Sequence, residues 1–168
     1  MLPFSSYAYD PEEDEEPAGG SFAVLLNFQD NIYGCSVGSG SWIRNTPIFG
    51  DFFLRLYSSG IEDTWYSGLG MTIRIMPHWR FAPFIGAGGS YDFSFTSQQE
   101  EYNNPFRTTQ EELPDQGDSY WGGHVETGFR LWLANRIQLF ELLGRYTWTS
   151  LTGDHDYWLI GLSTGLGY

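Results

Sequence analysis

The sequence predicts an all-β protein, an eight-stranded antiparallel up-and-down β-barrel that crosses a membrane. Three observations carry this. The C-terminal segment splits at period two into a large apolar face and a face of glycine and serine. The same split recurs back along the chain in segments bounded by turn-forming residues. Short connections also alternate with longer ones, as in a barrel with turns at one end and loops at the other. Composition agrees, with 18% aromatic residues, 21 glycines and only 17% charged residues. A mean hydropathy of -0.32, with no apolar run of about 20 residues, excludes a spanning helix. It does not exclude a barrel, whose strands turn only every second side chain to lipid.

The elements are clearest from the C-terminus backwards. In HDYWLIGLSTGLGY, Trp158, Ile160, Leu162, Thr164, Leu166 and Tyr168 alternate with Gly161, Ser163, Gly165 and Gly167. The small set fits the crowded interior of a narrow barrel. Arg136–Trp148 sets Phe140, Leu142, Tyr146 and Trp148 against Glu141, Arg145 and Thr147. Ser119–Leu133 sets Trp121, Val125, Phe129, Leu131 and Leu133 against His124, Glu126, Gly128 and Arg130. Arg80–Phe95 sets Phe81, Ile85, Tyr91, Phe93 and Phe95 against Gly86, Gly88, Ser90 and Asp92. Pro83 falls on the outward set, where its missing donor predicts an edge-like or bulged position. Asp63–Met76 sets Trp65, Leu69, Met71, Ile73 and Ile75 against Gly68, Gly70, Thr72 and Arg74. Pro47–Ser58 sets Phe52, Leu54 and Leu56 against Asp51 and Arg55. Ile32–Ile43 and Ser21–Gln29 alternate more weakly and complete the set. Cys35, the single cysteine, allows no internal disulfide and reads as a small packing residue.

Tight turns are expected at Arg44–Thr46, Pro77–Trp79 and Ala134–Asn135. The other connections are Asp30–Asn31, Ser59–Glu62, Thr96–Asp118 and Thr149–Asp154. Residues 1–19 are expected to form an acidic disordered leader before a barrel over 20–168. Met1–Gly20 lacks a basic start followed by an apolar stretch, so export is inferred rather than read from a signal segment.

FAPFIGAGGSYDF, HVETGFRLWLANRIQLFELLGRYTWTS and the ending STGLGY resemble the small outer-membrane β-barrel superfamily of OmpA-, OmpX- and OmpW-type proteins. The resemblance covers roughly residues 20–168. It implies a bacterial outer-membrane location, with outer-membrane lipids around the barrel. It implies no single activity, because that superfamily mixes structural, adhesive and channel-forming members. The terminal Tyr168, with Trp158, Ile160, Leu162 and Leu166 before it, resembles the assembly signal read by the barrel-insertion machinery. The short first loop and the absence of lysine depart from the pattern.

All eight cations are arginine, and against 21 acids the net charge is -13. This disfavours nucleic acid as a partner, since phosphate contacts need a basic patch. The strand map places four acids and four arginines in the lumen: Asp51, Asp92, Glu126 and Glu141 with Arg55, Arg74, Arg130 and Arg145. Arg44, Arg80 and Arg136 lie at the tight turns, while the loops and the leader hold the remaining acids. Buried carboxylates and guanidiniums must satisfy one another, so the lumen set reads as a structural network. The rival reading is a gated path in which Glu126–Arg130 and Glu141–Arg145 pairs exchange partners.

Other constellations are weaker. Asp115–Asp118 and Thr152–Asp156 offer oxygen ligands for a divalent cation but match no recognised calcium-loop spacing. Ser150, His155 and Asp156, or His124 with Glu126, are the candidates for a catalytic arrangement, and no motif supports them. No cofactor is expected. Trp42, Trp65, Trp121, Trp148, Trp158, Tyr33, Tyr57, Tyr66, Tyr91, Tyr120, Tyr146 and Tyr168 lie mostly towards strand ends. Those facing outward read as interfacial girdles. The preferred expectation is a non-enzymatic outer-membrane barrel with a structural, anchoring or partner-binding role. A protein partner would meet the 96–118 loop or the acidic leader. A narrow channel is the alternative, and a lipid-modifying enzyme comes after it.

Overall fold

The computed structural model describes residues 19–28, 31–44, 46–58, 64–96, 119–134, 137–150 and 156–166. The leader, the 97–118 connection and Tyr168 lie outside this set, as do Arg107, Arg136, His155 and the Asp115–Asp118 cluster.

Eight strands follow one another: β1 (Gly19–Asn27), β2 (Ile32–Trp42), β3 (Ile48–Ser58), β4 (Thr64–Ile75), β5 (Phe81–Thr96), β6 (Ser119–Ala134), β7 (Ile137–Thr149) and β8 (Tyr157–Leu166). Each pairs antiparallel with its neighbour in sequence, and β1 pairs with β8 to close the barrel. The closing ladder runs from Gly20 opposite Leu166 to Leu26 opposite Ile160. Closure leaves no sheet edge with unpaired backbone groups.

The pleat sorts side chains to two faces, and the residues obey it. In β8, Tyr157, Leu159, Gly161 and Ser163 are buried while Ile160, Leu162, Thr164 and Leu166 are exposed. In β4, Thr72 and Arg74 are buried while Met71, Ile73 and Ile75 stand outward. Large apolar residues therefore coat the outside, while charged and polar residues lie inside together with buried rings such as Phe49, Phe53 and Phe84. A water-soluble sandwich has the opposite arrangement.

Short connections are built from local hydrogen bonds. Between β2 and β3, Thr46 N and Oγ1 both donate to the Ile43 carbonyl, at 3.0 and 2.7 Å. Met76 N donates to the Pro47 carbonyl at 2.8 Å, tying this turn to the start of the next. Asn31, before β2, has φ 53°, a left-handed conformation that asparagine tolerates better than most side chains.

Of the two alternatives expected for Pro83, the structure shows the edge-like position and not the bulge. Pro83 pairs with Phe129 in an unbroken β5–β6 register. The β4 ladder stops at Ile75 opposite Ile85, so on that side Pro83 lies beyond the paired stretch and needs no bulge. The irregularities fall where β6 and β7 approach their turn, at Leu131–Ala134 on β6 and at Gln138–Glu141 on β7. On β7, Leu139 and Phe140 together take the place opposite β8 between Gln138–Gly165 and Glu141–Ser163. The extra residue lets Gln138 and Glu141 both turn inward, although three positions apart they would otherwise face opposite sides.

Candidate functional site: the barrel lumen

Five neighbouring strands bring the eight charged residues together. β3 supplies Asp51 and Arg55, β4 Arg74, β5 Asp92, β6 Glu126 and Arg130, and β7 Glu141 and Arg145. Each sits at the inward parity of its strand, and the chain folds so because that face offers carboxylate–guanidinium partners instead of lipid or water.

The charges form two groups. In the first, Arg55 grips Asp92 with a fork, Nε to Oδ1 at 2.8 Å and Nη2 to Oδ2 at 2.6 Å. Ser90 Oγ accepts from Arg55 Nη2 at 2.8 Å and donates to Asp92 Oδ2 at 2.9 Å. In the second, Arg74 is shared by three carboxylates: Glu126 at 2.5 Å, Asp51 at 3.2 Å and Glu141 at 3.3 Å. Arg145 donates twice to Glu126 Oε2, at 2.9 and 2.7 Å, and Arg130 Nε donates to Glu141 at 2.5 Å. Each group is neutral by itself.

The pairs are cross-strand. Glu126 lies opposite Arg145, and Arg130 opposite Glu141, in the β6–β7 register. The Glu126–Arg130 and Glu141–Arg145 pairing suggested by sequence spacing is therefore wrong. Residues four apart on a strand are separated by about 13 Å, too far to bond.

Aromatic rings accompany every lumen arginine. Arg145 lies 4.5 Å from the Phe53 centroid, Arg74 4.7 Å from Phe84, Arg130 4.6 Å from Phe49, and Arg55 5.0 Å from Tyr57. Phe53 is also 5.9 Å from Arg55, so its ring stands between the two ionic groups. Beside it, His124 Nε2 bonds Thr72 Oγ1 at 2.8 Å, which engages this histidine with a neutral partner. Among the described residues, His124 Nδ1, Thr147 Oγ1 and Arg55 Nη1 make no protein hydrogen bond.

Apolar clusters close both ends. Towards the loops, Tyr57, Tyr66, Tyr120 and Tyr157 pack with Leu25, Ile32 and Leu159. Tyr57 and Tyr66 stack at 5.3 Å, and the Tyr57 and Tyr120 hydroxyls bond each other. Towards the turns, Phe49, Met76, Ala82, Phe84 and Leu143 pack together with Trp42 and Trp132 against them. By position in the sequence, Tyr57, Tyr66, Tyr120 and Trp42 group with the other strand-end aromatics, of which only the outward-facing members are expected in a girdle, and these four are not assigned to a face. The signal was parity: Tyr57 shares the face of Arg55, Tyr66 that of Gly68, and Tyr120 that of His124. The outward aromatics do gather at the rims. Tyr33 meets Trp65 at 5.8 Å, Tyr91 meets Trp121 at 4.6 Å, and Tyr146 meets Trp148 at 5.1 Å.

Glycines make room for the inward side chains. A Cβ on Gly40 would run into the Phe49 ring, one on Gly70 into Phe53, and one on Gly88 into His124. The row Trp158, Ile160, Leu162 and Leu166 lies on the outward face of β8. Ser150 Oγ accepts from Trp121 N at 3.0 Å, and Asp156 accepts from Thr149 N at 3.0 Å. Both are thus spent on rim backbone.

The N-terminal β-barrel domain of Pseudomonas aeruginosa OprF matches this structure with a TM-score of 0.64 at 10% identity, covering 92% of this chain and 98% of that one. Neisserial surface protein A (NspA) matches with a TM-score of 0.61 at 11% identity, covering 90% of this chain and 95% of that one. The chain shares their fold. At such identity the likeness concerns fold alone. No protein-family model matches the sequence, and no curated protein matches it.

Proposed function

We propose that the protein is an integral bacterial outer-membrane barrel that acts as an anchor or binding platform, with a lumen that is filled rather than open. The exposed apolar belt carries the membrane reading. Phe52, Met71, Ile73, Ile85 and Leu162 are each more than half exposed, and a continuous coat of this kind marks a lipid-facing surface. The likeness in fold to OprF and NspA supports the same reading. The closed state is supported by the neutral ion groups and the two aromatic plugs, since an eight-stranded interior is about wide enough for side chains only.

The role is non-enzymatic in this reading, because His124 bonds a threonine and Glu126 is held by two arginines. Outer-membrane lipids are the surrounding partner. The outward row on β8 is the segment proposed to be read by the assembly machinery. The 96–118 loop and the acidic leader are the surfaces proposed for a protein partner.

Heat-modifiable migration on gels and recovery from the membrane fraction are the expected behaviour, whereas a monodisperse detergent-free protein would overturn the membrane reading. In planar bilayers no discrete openings are expected. Clear openings that Glu126→Ala or Arg145→Ala alter would replace the platform with a channel.

A further inference from the structure

We infer that the turn end of the barrel is a headgroup-binding rim for anionic phospholipids, with Arg44 and Arg80 as phosphate ligands and Trp79 as the interfacial wedge. The inference rests on the membrane reading above and adds the lipid class. Among the described residues, the other four arginines are spent on lumen carboxylates, so Arg44 and Arg80 are the cations left on the outside. Both are exposed, and both lie at the same end. The described acids are the four in the lumen and Asp156, which sits on the β7–β8 connection at the opposite end. Nothing described on the turn rim therefore competes with a phosphate for these guanidiniums.

The two turns form one surface. Met76 N reaches the Pro47 carbonyl at 2.8 Å, and the Trp42 and His78 rings meet at 3.9 Å, so the β4–β5 turn packs on the β2–β3 turn. Arg80 Nε donates to the Trp132 carbonyl at 3.2 Å. This bond anchors the guanidinium at the rim. Trp79, beside it, is 64% exposed, and indole rings favour the headgroup level of a bilayer. Guanidinium binds phosphate oxygens with forked, charge-assisted hydrogen bonds. A zwitterionic headgroup brings its own cation to the phosphate and should bind less well than an anionic one.

The test is native mass spectrometry of the folded barrel from micelles doped equally with phosphatidylglycerol and phosphatidylcholine. The wild type should retain phosphatidylglycerol preferentially. Arg44→Gln and Arg80→Gln should each weaken that preference about fivefold, the factor for one basic side chain near an anionic surface. The Arg44→Lys/Arg80→Lys protein should keep most of it. Equal retention of both lipids by the wild type would overturn the inference, as would an unchanged preference in the double glutamine variant. Insertion into vesicles of either lipid separates the two readings. Failure to insert into both sinks the membrane reading, whereas insertion into both without lipid preference sinks only this inference.

Discussion

The two walls of the lumen are built on different principles. β3 to β7 carry all eight lumen charges and most of the inward rings. β8, β1 and β2 turn inward Ser163, Gly161, Ala23, Gly34, Ser36, Gly38 and Gly40, with no charge among their described inward residues. One wall carries the ionic groups, and the other faces them with small residues and keeps its large inward ones, Leu25, Ile32, Tyr157 and Leu159, towards the loop end. A Cβ on Gly38 would press on the Phe52 carbonyl and Ser21 Oγ at 3.1 Å, and one on Gly161 on the Leu143 side chain at 2.9 Å. The contrast shows how so narrow a barrel holds four guanidiniums. Long side chains need small neighbours, and the charged wall also supplies its own: a Cβ on Gly68 would run into Asp92, and one on Gly86 into Arg74. The two walls should then fail differently, the first by losing partners and the second by gaining bulk.

The largest effect is expected at Arg74, whose guanidinium contacts three carboxylates. Arg74→Ala takes one cation from each of Asp51, Glu126 and Glu141. Removing one partner of a buried ion pair costs about 3–5 kcal/mol. Urea unfolding in vesicles, followed by gel mobility, should show a loss of that order. A loss no larger than that of an exposed variant such as Met71→Leu would mean the network contributes little to holding the wall.

On the wall of small residues, Gly40→Ala should cost about 1–3 kcal/mol by overpacking, because its Cβ meets both the Phe49 ring and the Gly50 carbonyl. The same change at Gly123, on the outward face with nothing within 4 Å of a Cβ, should be close to neutral. If both glycines tolerate alanine equally in the same assay, the lumen is not tightly packed against Gly40.

The fold was legible in the sequence because the pleat makes every inward residue declare itself by parity, and the lumen charges appeared for the same reason. Partners were not legible. Sequence spacing favours residues on one strand, whereas pairing in a sheet is set by register across strands, and register emerges only on closure. The aromatic plugs were hidden differently. Tyr57 and Tyr33 are both tyrosines near a strand end, yet Tyr57 is 1% exposed and Tyr33 53%. Residue type and position along the strand group the two together, and only parity separates them. The β7 bulge is invisible for a related reason. It switches parity between Gln138 and Glu141 without a glycine or proline between them to mark it.

The smallest effect bears on the absence of lysine. Arg145 uses Nε and Nη2 together on Glu126 Oε2 and sets its planar group 4.5 Å from the Phe53 ring. A lysine at this place keeps the charge but lacks the fixed fork and the flat face. Arg145→Lys should therefore lose about 1 kcal/mol, the order of one net hydrogen bond, and far less than Arg74→Ala. Pairing it with Phe53→Leu sharpens the point. If stacking matters, the two substitutions together should cost less than the sum of their separate costs, because each removes half of the same contact. If the costs simply add, the ring is only filling space, and the exclusive use of arginine in this lumen follows from the forked carboxylate bonds alone.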